Sequence, residues 1–141
     1  MKLPLNKQTV LITGAGRGLG SEIAKSFHRE GAKVVINYRK SFESAQKLSD
    51  SLGENVIPIK ADIREKDQVS KMHEQLESQN IKVDTIIHNA INDFIFNGDK
   101  RKKIDNIEWQ DFQKQIETSQ KGFLNLLNIF TPNMKKILLE E

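Results

Sequence analysis

The chain has 141 residues, 37% hydrophobic and 29% charged, with 22 basic against 19 acidic side chains and a formal net charge of +3. That profile fits one globular domain and excludes disordered and fibrous classes. Cysteine is absent, so disulfide and thiolate chemistry are excluded. No signal-peptide core and no run of about 18 apolar residues is present, which leads to the expectation of a cytoplasmic protein without membrane association.

The first strong feature is Thr9 to Gly20, TVLITGAGRGLG, a β-branched run followed by glycines at positions 14, 16, 18 and 20. A strand that empties into a glycine loop and then a helix lets backbone N–H groups and the positive helix end approach an anion. The general dinucleotide fingerprint G-x-G-x-x-G would need glycine where Leu19 stands. A tight turn without a ligand is the competing reading, but glycine forfeits about 0.5–1 kcal/mol per residue in regular structure, a cost that a ligand-free turn would seldom carry.

Strand-like and helical patterns then alternate, with apolar runs starting near Thr9, Lys33, Val56 and Val83. Leu19, Ile23, Ala24 and Phe27 share one helical face, and Gly31 closes that helix. Val34 to Asn37 is apolar enough for a strand covered on both faces. Ala45, Leu48 and Leu52 repeat the helical stripe up to Gly53, and Pro58 marks the next strand as an edge. Val69, Met72 and Leu76 line a third helix, in which His73 reads as a partly exposed helix residue rather than a metal ligand.

The fourth strand is expected over Val83 to His88, leading into Asn89-Ala90-Ile91-Asn92, and Asn97 to Asn106 is expected to be a loop. Within it, Lys100-Arg101-Lys102-Lys103 reads as a solvated cluster in preference to a docking patch for an acidic partner. Without interleaved aromatics it does not argue for nucleic acid. From Glu108, the residues Trp109, Phe112, Ile116, Ser119, Phe123, Leu126 or Leu127 and Phe130 predict a long helix with a core face, stopped by Thr131-Pro132. Right-handed crossovers give the strand order 3-2-1-4, the first half of a doubly wound α/β sheet. Its crevice opens where strands 1 and 4 diverge, bringing the Gly14 loop and the Asn89 turn together.

In such units an acidic residue some 20 positions beyond the glycines selects NAD, whereas a nearby arginine accommodates the 2′-phosphate of NADP. Here Asn37 takes that position, followed by Tyr38-Arg39-Lys40. A repelling carboxylate is missing, and Arg39 offers a planar fork, with Arg17 a second cation in the glycine loop. Ordinary surface charge is the competing reading of these cations.

From about Leu5 to Met134 the chain resembles the amino-terminal half of a short-chain dehydrogenase/reductase, in wording the 3-oxoacyl-acyl carrier protein reductase type. The resemblance implies a Rossmann-like fold and NADP as cofactor, with a small-molecule or acyl-carrier-bound carbonyl as substrate. By position it implies that Gly14, Gly16, Arg17, Gly18, Leu19 and Gly20 form the phosphate loop and Asn37-Tyr38-Arg39 the ribose-phosphate turn. It likewise implies that Asp62-Ile63 hold adenine and that Asn89-Ala90 pack beside the adenosine. The departures are His88 and Ile91, where the family's Asn-Asn-Ala-Gly turn has its first asparagine and its glycine, and Ser119, where an asparagine supports the proton relay.

The family's chemistry resides in a serine and a Tyr-x-x-x-Lys pair. The single tyrosine here is Tyr38, with Phe42 four residues later, so no catalytic residue and no metal site is assigned. The sequence is thus expected to form one truncated NADP-binding domain over residues 1–141, with Lys136 to Glu141 where a fifth strand is expected. An uncovered fourth strand would lose roughly 1.5–3 kcal/mol for each of Val83, Ile86 and Ile87, large against a total of about 5–15 kcal/mol. A marginal chain that associates through the open sheet edge is therefore expected. Three functions stay open: an NADPH-dependent carbonyl reductase lineage inactive in this chain alone, a non-catalytic nucleotide-binding or interaction module, and an inert truncation product.

Overall fold

Apolar residues run unbroken along the first two strands, so both of their faces must be covered, and in the computed structural model they are. The structure describes residues 4–95 and 97–139. A short 3-10 turn, Leu5–Lys7, leads into β1 (Thr9–Thr13), α1 (Gly18–Arg29), β2 (Lys33–Tyr38) and α2 (Phe42–Leu52). These are followed by β3 (Val56–Lys60), α3 (Lys66–Ser78) and β4 (Thr85–Ile87). The last helical run comprises α4 (Trp109–Ile116), a π-helical turn (Glu117–Lys121) and α5 (Gly122–Leu139). The four strands are parallel in the order β3-β2-β1-β4, as expected for half of a Rossmann-like sheet.

Alternation along β1 divides the core. Val10 and Ile12 face a cluster with Val34, Ile36, Ala24 and Ala45, under α1 and α2. Leu11 faces the opposite cluster with Val35, Val69, Met72, Leu76, Leu126 and Phe130, under α3 and α5. Pro58 lies in the edge strand, opposite Ile36, where a missing N–H is tolerated. At the other edge, β4 is shorter than the expected Val83 to His88. Its loss of burial is also smaller: Val83 is buried, and Ile86 and Ile87 each pack against one core cluster.

Two expectations about the last helices are corrected. The periodic run of apolar residues holds only at its end: Leu126 and Phe130 are buried, whereas Trp109, Phe112, Ile116 and Phe123 are exposed. α4 runs directly into the π-helical turn, and its stripe of Trp109, Phe112 and Ile116 is left open to solvent. Second, Pro132 lies inside α5 rather than ending it. Tertiary anchors on both sides hold the helix through the proline: Phe130 in the core, with its ring edge-on to His73 at 4.9 Å, and Asn133 hydrogen-bonded to the same histidine at 3.0 Å. Met134 packs on the same cluster. His73 is thus an interhelical contact on α3, and Glu140 and Glu141 lie outside the described residues.

Asn97 to Asn106 is irregular, as expected. Lys102 in that stretch ties it to the start of α4, reaching Asp111 at 2.6 Å and Glu108 at 3.4 Å; Glu108 and Asp111 also form a reciprocal capping box. Among the described residues, no helix is long and apolar enough to cross a membrane.

Because Pro132 is exposed and removes one intrahelical hydrogen bond, Pro132→Ala is predicted to raise stability by about 1–3 kcal/mol. Urea unfolding of the two proteins checks this, and an unchanged or lower midpoint would show that the proline is not a cost carried by the surrounding packing.

Candidate functional site

The carboxyl ends of β1 and β4 are joined by side-chain hydrogen bonds that no strand ladder provides. The Thr13 hydroxyl accepts from the backbone N–H groups of Asn89 and Ala90, both at 3.1 Å. The Asn89 amide donates to the carbonyls of Thr13 and Gly14 at 3.1 and 3.3 Å. Gly14 has φ +64, and a Cβ there would lie 2.9 Å from the Ala90 Cα. At Gly20 a Cβ would lie 2.6 Å from both the Asn89 amide nitrogen and the Gly14 carbonyl. Glycine at these two positions therefore lets α1, the loop and the Asn89 turn close on one another.

His88 completes the joint. Its Nε2 lies 3.0 Å from the Ser119 carbonyl, which can only accept, so Nε2 carries the proton. Nδ1 is then left to accept from the Thr13 hydroxyl at 3.2 Å. The ring stacks on Phe123 at 5.3 Å. Burial pushes the His88 pKa down, partly offset by the bond to Ser119, in keeping with a neutral ring.

Around this joint lies a cavity of about 900 Å³. It brings together most of the residues singled out in the sequence: Gly14, Arg17, Gly18, Leu19, Tyr38, Arg39, Asp62, Ile63, Asn89 and Ala90 all line it. Gly18 and Leu19 begin α1, whose first N–H groups have no partner further back in the helix. Leu19 is 71% exposed, so it belongs to the cavity and not to the expected core face of α1.

Three of the expected residues sit behind the wall. Gly16 is buried against Ser41, whose Oγ would lie 2.6 Å from a Cβ there. Gly20 packs on Asn89, as above. Asn37 is a core residue, 2% exposed: its amide donates to the Ala61 carbonyl at 3.1 Å and its own carbonyl accepts from Ala15. It clamps β2 to the end of β3 and to the loop, and its side chain does not enter the cavity.

The acid at the end of β3 is already engaged. The Arg64 guanidinium grips Asp62 through Nε at 2.9 Å and an NH2 group at 2.6 Å, which with its burial-opposed charge holds the Asp62 carboxyl below the usual aspartate range. Ile63 is pinned from behind, its carbonyl taking the Asn125 amide at 2.9 Å, and a Cβ on Gly122 would lie 2.8 Å from its side chain. Ser119 does not face the cavity with its hydroxyl, which donates to the Gln115 carbonyl at 2.7 Å; Thr118, one residue earlier in the π-helical turn, lines the cavity instead.

Sequence reasoning missed Thr118, Arg64 and Asp93. A π-helical turn has no simple sequence signature, whereas the close spacing of Asp62 and Arg64 was a readable signal for an ion pair. Asp93 lies beyond the Asn89 turn in a stretch without periodicity. In the structure it meets Arg17 at 3.1 Å, Arg39 at 3.3 Å and Lys40 at 3.8 Å.

A four-stranded parallel sheet in the order β3-β2-β1-β4, with helices on both faces and a crevice at the carboxyl ends of its strands, defines a fold of the Rossmann class. The family model for short chain dehydrogenases matches residues 8–137, and the chain belongs to that family of oxidoreductases. It is 39% identical over 89 residues to a versicolorin reductase of Emericella nidulans, covering 61% of this chain and 34% of that protein. It is 32% identical over 133 residues to a 3-oxoacyl-[acyl-carrier-protein] reductase of Staphylococcus epidermidis, covering 92% and 52%. A solved 3-ketoacyl-(acyl-carrier-protein) reductase from Brucella melitensis, complexed with NADH, superposes with a TM-score of 0.80 at 30% identity, covering 94% of this chain and 52% of that one. The chain thus spans about half the length, or less, of these relatives.

The depressed His88 pKa fixes the sign of a pH effect. The unfolded chain takes up a proton more readily, so this contribution is complete above the ordinary histidine value of 6.5 and is lost as pH falls through the lowered folded value. The stability difference between about pH 7.5 and pH 5.5 is predicted to shrink in His88→Asn. Chemical denaturation at the two pH values measures it, and an undiminished difference would place the acid sensitivity elsewhere.

Proposed function

We propose that this chain is the cofactor-binding part of an NADPH-dependent carbonyl reductase of the 3-oxoacyl-acyl carrier protein reductase type. The observation that carries the reading is the convergence of the glycine loop and three cations, Arg17, Arg39 and Lys40, on one crevice. The pyrophosphate is assigned to the loop and the first turn of α1, where the Gly14 and Gly20 positions admit no Cβ. The 2′-phosphate is assigned to Arg39, which follows β2 and is only 27% exposed in its side chain; a guanidinium matches phosphate oxygens with two parallel donors. Asp62-Ile63 and Asn89-Ala90 are assigned to the adenosine. Asn37 contributes by fixing the turn from below and not by contact.

NADP is favoured over NAD because Asn37, the penultimate residue of β2, is an inward-turned amide rather than a carboxylate aimed at the ribose. The Brucella relative was solved with NADH, which shares the nicotinamide and lacks the 2′-phosphate. When bound, the cofactor supplies hydride to a carbonyl carbon. The residues of this chain bind and orient it, and among the described residues no tyrosine is assigned to give the carbonyl oxygen a proton: Tyr38, the single tyrosine of the sequence, lines the cavity beside Arg39 and Lys40 with its ring against Phe42, at the end assigned to the adenosine. A general acid must reach the reacting oxygen directly. On this reading the chain by itself binds the cofactor without turnover.

Calorimetric titration of the purified chain is expected to show saturable NADPH binding, weaker NADH binding, and a loss of roughly tenfold or more for NADPH in Arg39→Ala, the size of one charge-assisted contact. Equal affinity for both cofactors would overturn the phosphate assignment. In the same samples, NADPH oxidation with a 3-oxoacyl thioester is expected to stay at background, and turnover by the chain alone would overturn the account of Tyr38.

A further inference from the structure

The cations of the crevice already hold an anion of the chain's own. Asp93 belongs to the segment after the Asn89 turn, and residues 91–95 all line the cavity together with the glycine loop. The segment is fastened on one side by Gln115 of α4, which exchanges two hydrogen bonds with the Asn92 backbone at 3.2 and 3.3 Å. On the other side, the Asp93 carboxylate reaches across to Arg17 of the β1–α1 loop and to Arg39 and Lys40 of the β2–α2 turn. It stands on the boundary between the main cavity and an adjoining recess of about 490 Å³, lined by Arg39, Lys40, Lys60, Arg64 and Lys114 among others.

One carboxylate thus meets three cations drawn from two separate turns, beside a recess with two further lysines and an arginine. The contacts are water-accessible: the Asp93 side chain is 57% exposed, Arg17 75% and Lys40 76%. Exposed pairs of this kind contribute little to folding and exchange readily. The two carboxylate oxygens are divided between Arg17, 3.1 Å from Oδ1, and Arg39, 3.3 Å from Oδ2, positions that phosphate oxygens could take with nearly two charges instead of one.

We propose that Asp93 is an internal stand-in for a ligand phosphate and a determinant of specificity: it occupies Arg17, Arg39 and Lys40, and a 2′-phosphorylated adenosine nucleotide binds by displacing it. This rests on the nucleotide reading above and adds to it a competitor within the chain. A ribose 2′-hydroxyl carries no charge with which to draw the guanidinium from a carboxylate, so ligands lacking the phosphate leave Asp93 in place. The displaced carboxylate moves into water, which its exposure permits.

The test is calorimetric binding of adenosine 2′,5′-bisphosphate and adenosine 5′-monophosphate, at low salt, to the wild-type chain, Asp93→Asn and Asp105→Asn. The last makes the same charge change in the same connecting region, away from the cations. If Asp93 holds the cations about nine-tenths of the time, removing its charge tightens the 2′-phosphorylated ligand about tenfold, by the competent fraction it restores. The expected result is that gain in Asp93→Asn alone, with the monophosphate changed less than about twofold in every protein. Equal bisphosphate affinity in all three proteins, or weaker binding to Asp93→Asn, would overturn the stand-in while leaving the nucleotide site intact. Absence of binding of either ligand to any of the three, with folding checked by circular dichroism, would overturn both.

Discussion

The Thr13 hydroxyl is the point on which the crevice depends. Parallel strands that splay at their carboxyl ends leave backbone N–H groups without ladder partners, and a buried unpaired donor is costly. Thr13 receives two of them, from Asn89 and Ala90, and gives its own proton to His88. Asn89 returns the bond to the carbonyls of Thr13 and Gly14. The opening between β1 and β4 is thereby fixed at the width a glycine loop can fill, and the cations on the neighbouring turns inherit their positions from it.

His88 shows how a departure from the family pattern is absorbed. An asparagine at that position has one amide to share, whereas the imidazole spans from the Thr13 hydroxyl to the Ser119 carbonyl and stacks on Phe123. It couples the strand joint to the π-helical turn through a group that must stay neutral. Ile91, the other departure, turns outward with 64% exposure, so its added bulk lies at the cavity rim and not in the strand joint.

Strand order, crevice and most of the lining residues were legible in the sequence, because glycine spacing and alternating periods report backbone constraints directly. Asn37 was misplaced since a polar residue at a strand end looks solvent-facing until the neighbouring strand's carbonyls are known to lie behind it. The apolar period from Trp109 onward gave the helix but not what it packs on: the same stripe is buried at Phe130 and open at Trp109. Pro132 illustrates the limit of local propensity, as contacts at Phe130, Asn133 and Met134 hold α5 past it. Asp93 carried no local signal, for its role comes from cations more than 50 residues away in sequence that only the fold brings near.

The measurement that bears most directly on this crevice is an NMR titration of the amide-labelled chain with NADPH. Shifts concentrated in the glycine loop and the first turn of α1, at Arg39 and Lys40, at Asp62 and Ile63, and at Asn89 and Ala90 are the predicted result. Shifts confined to Lys100-Arg101-Lys102-Lys103 or to the exposed face of α4, or none in a folded sample, would contradict a nucleotide site at the ends of β1 and β4.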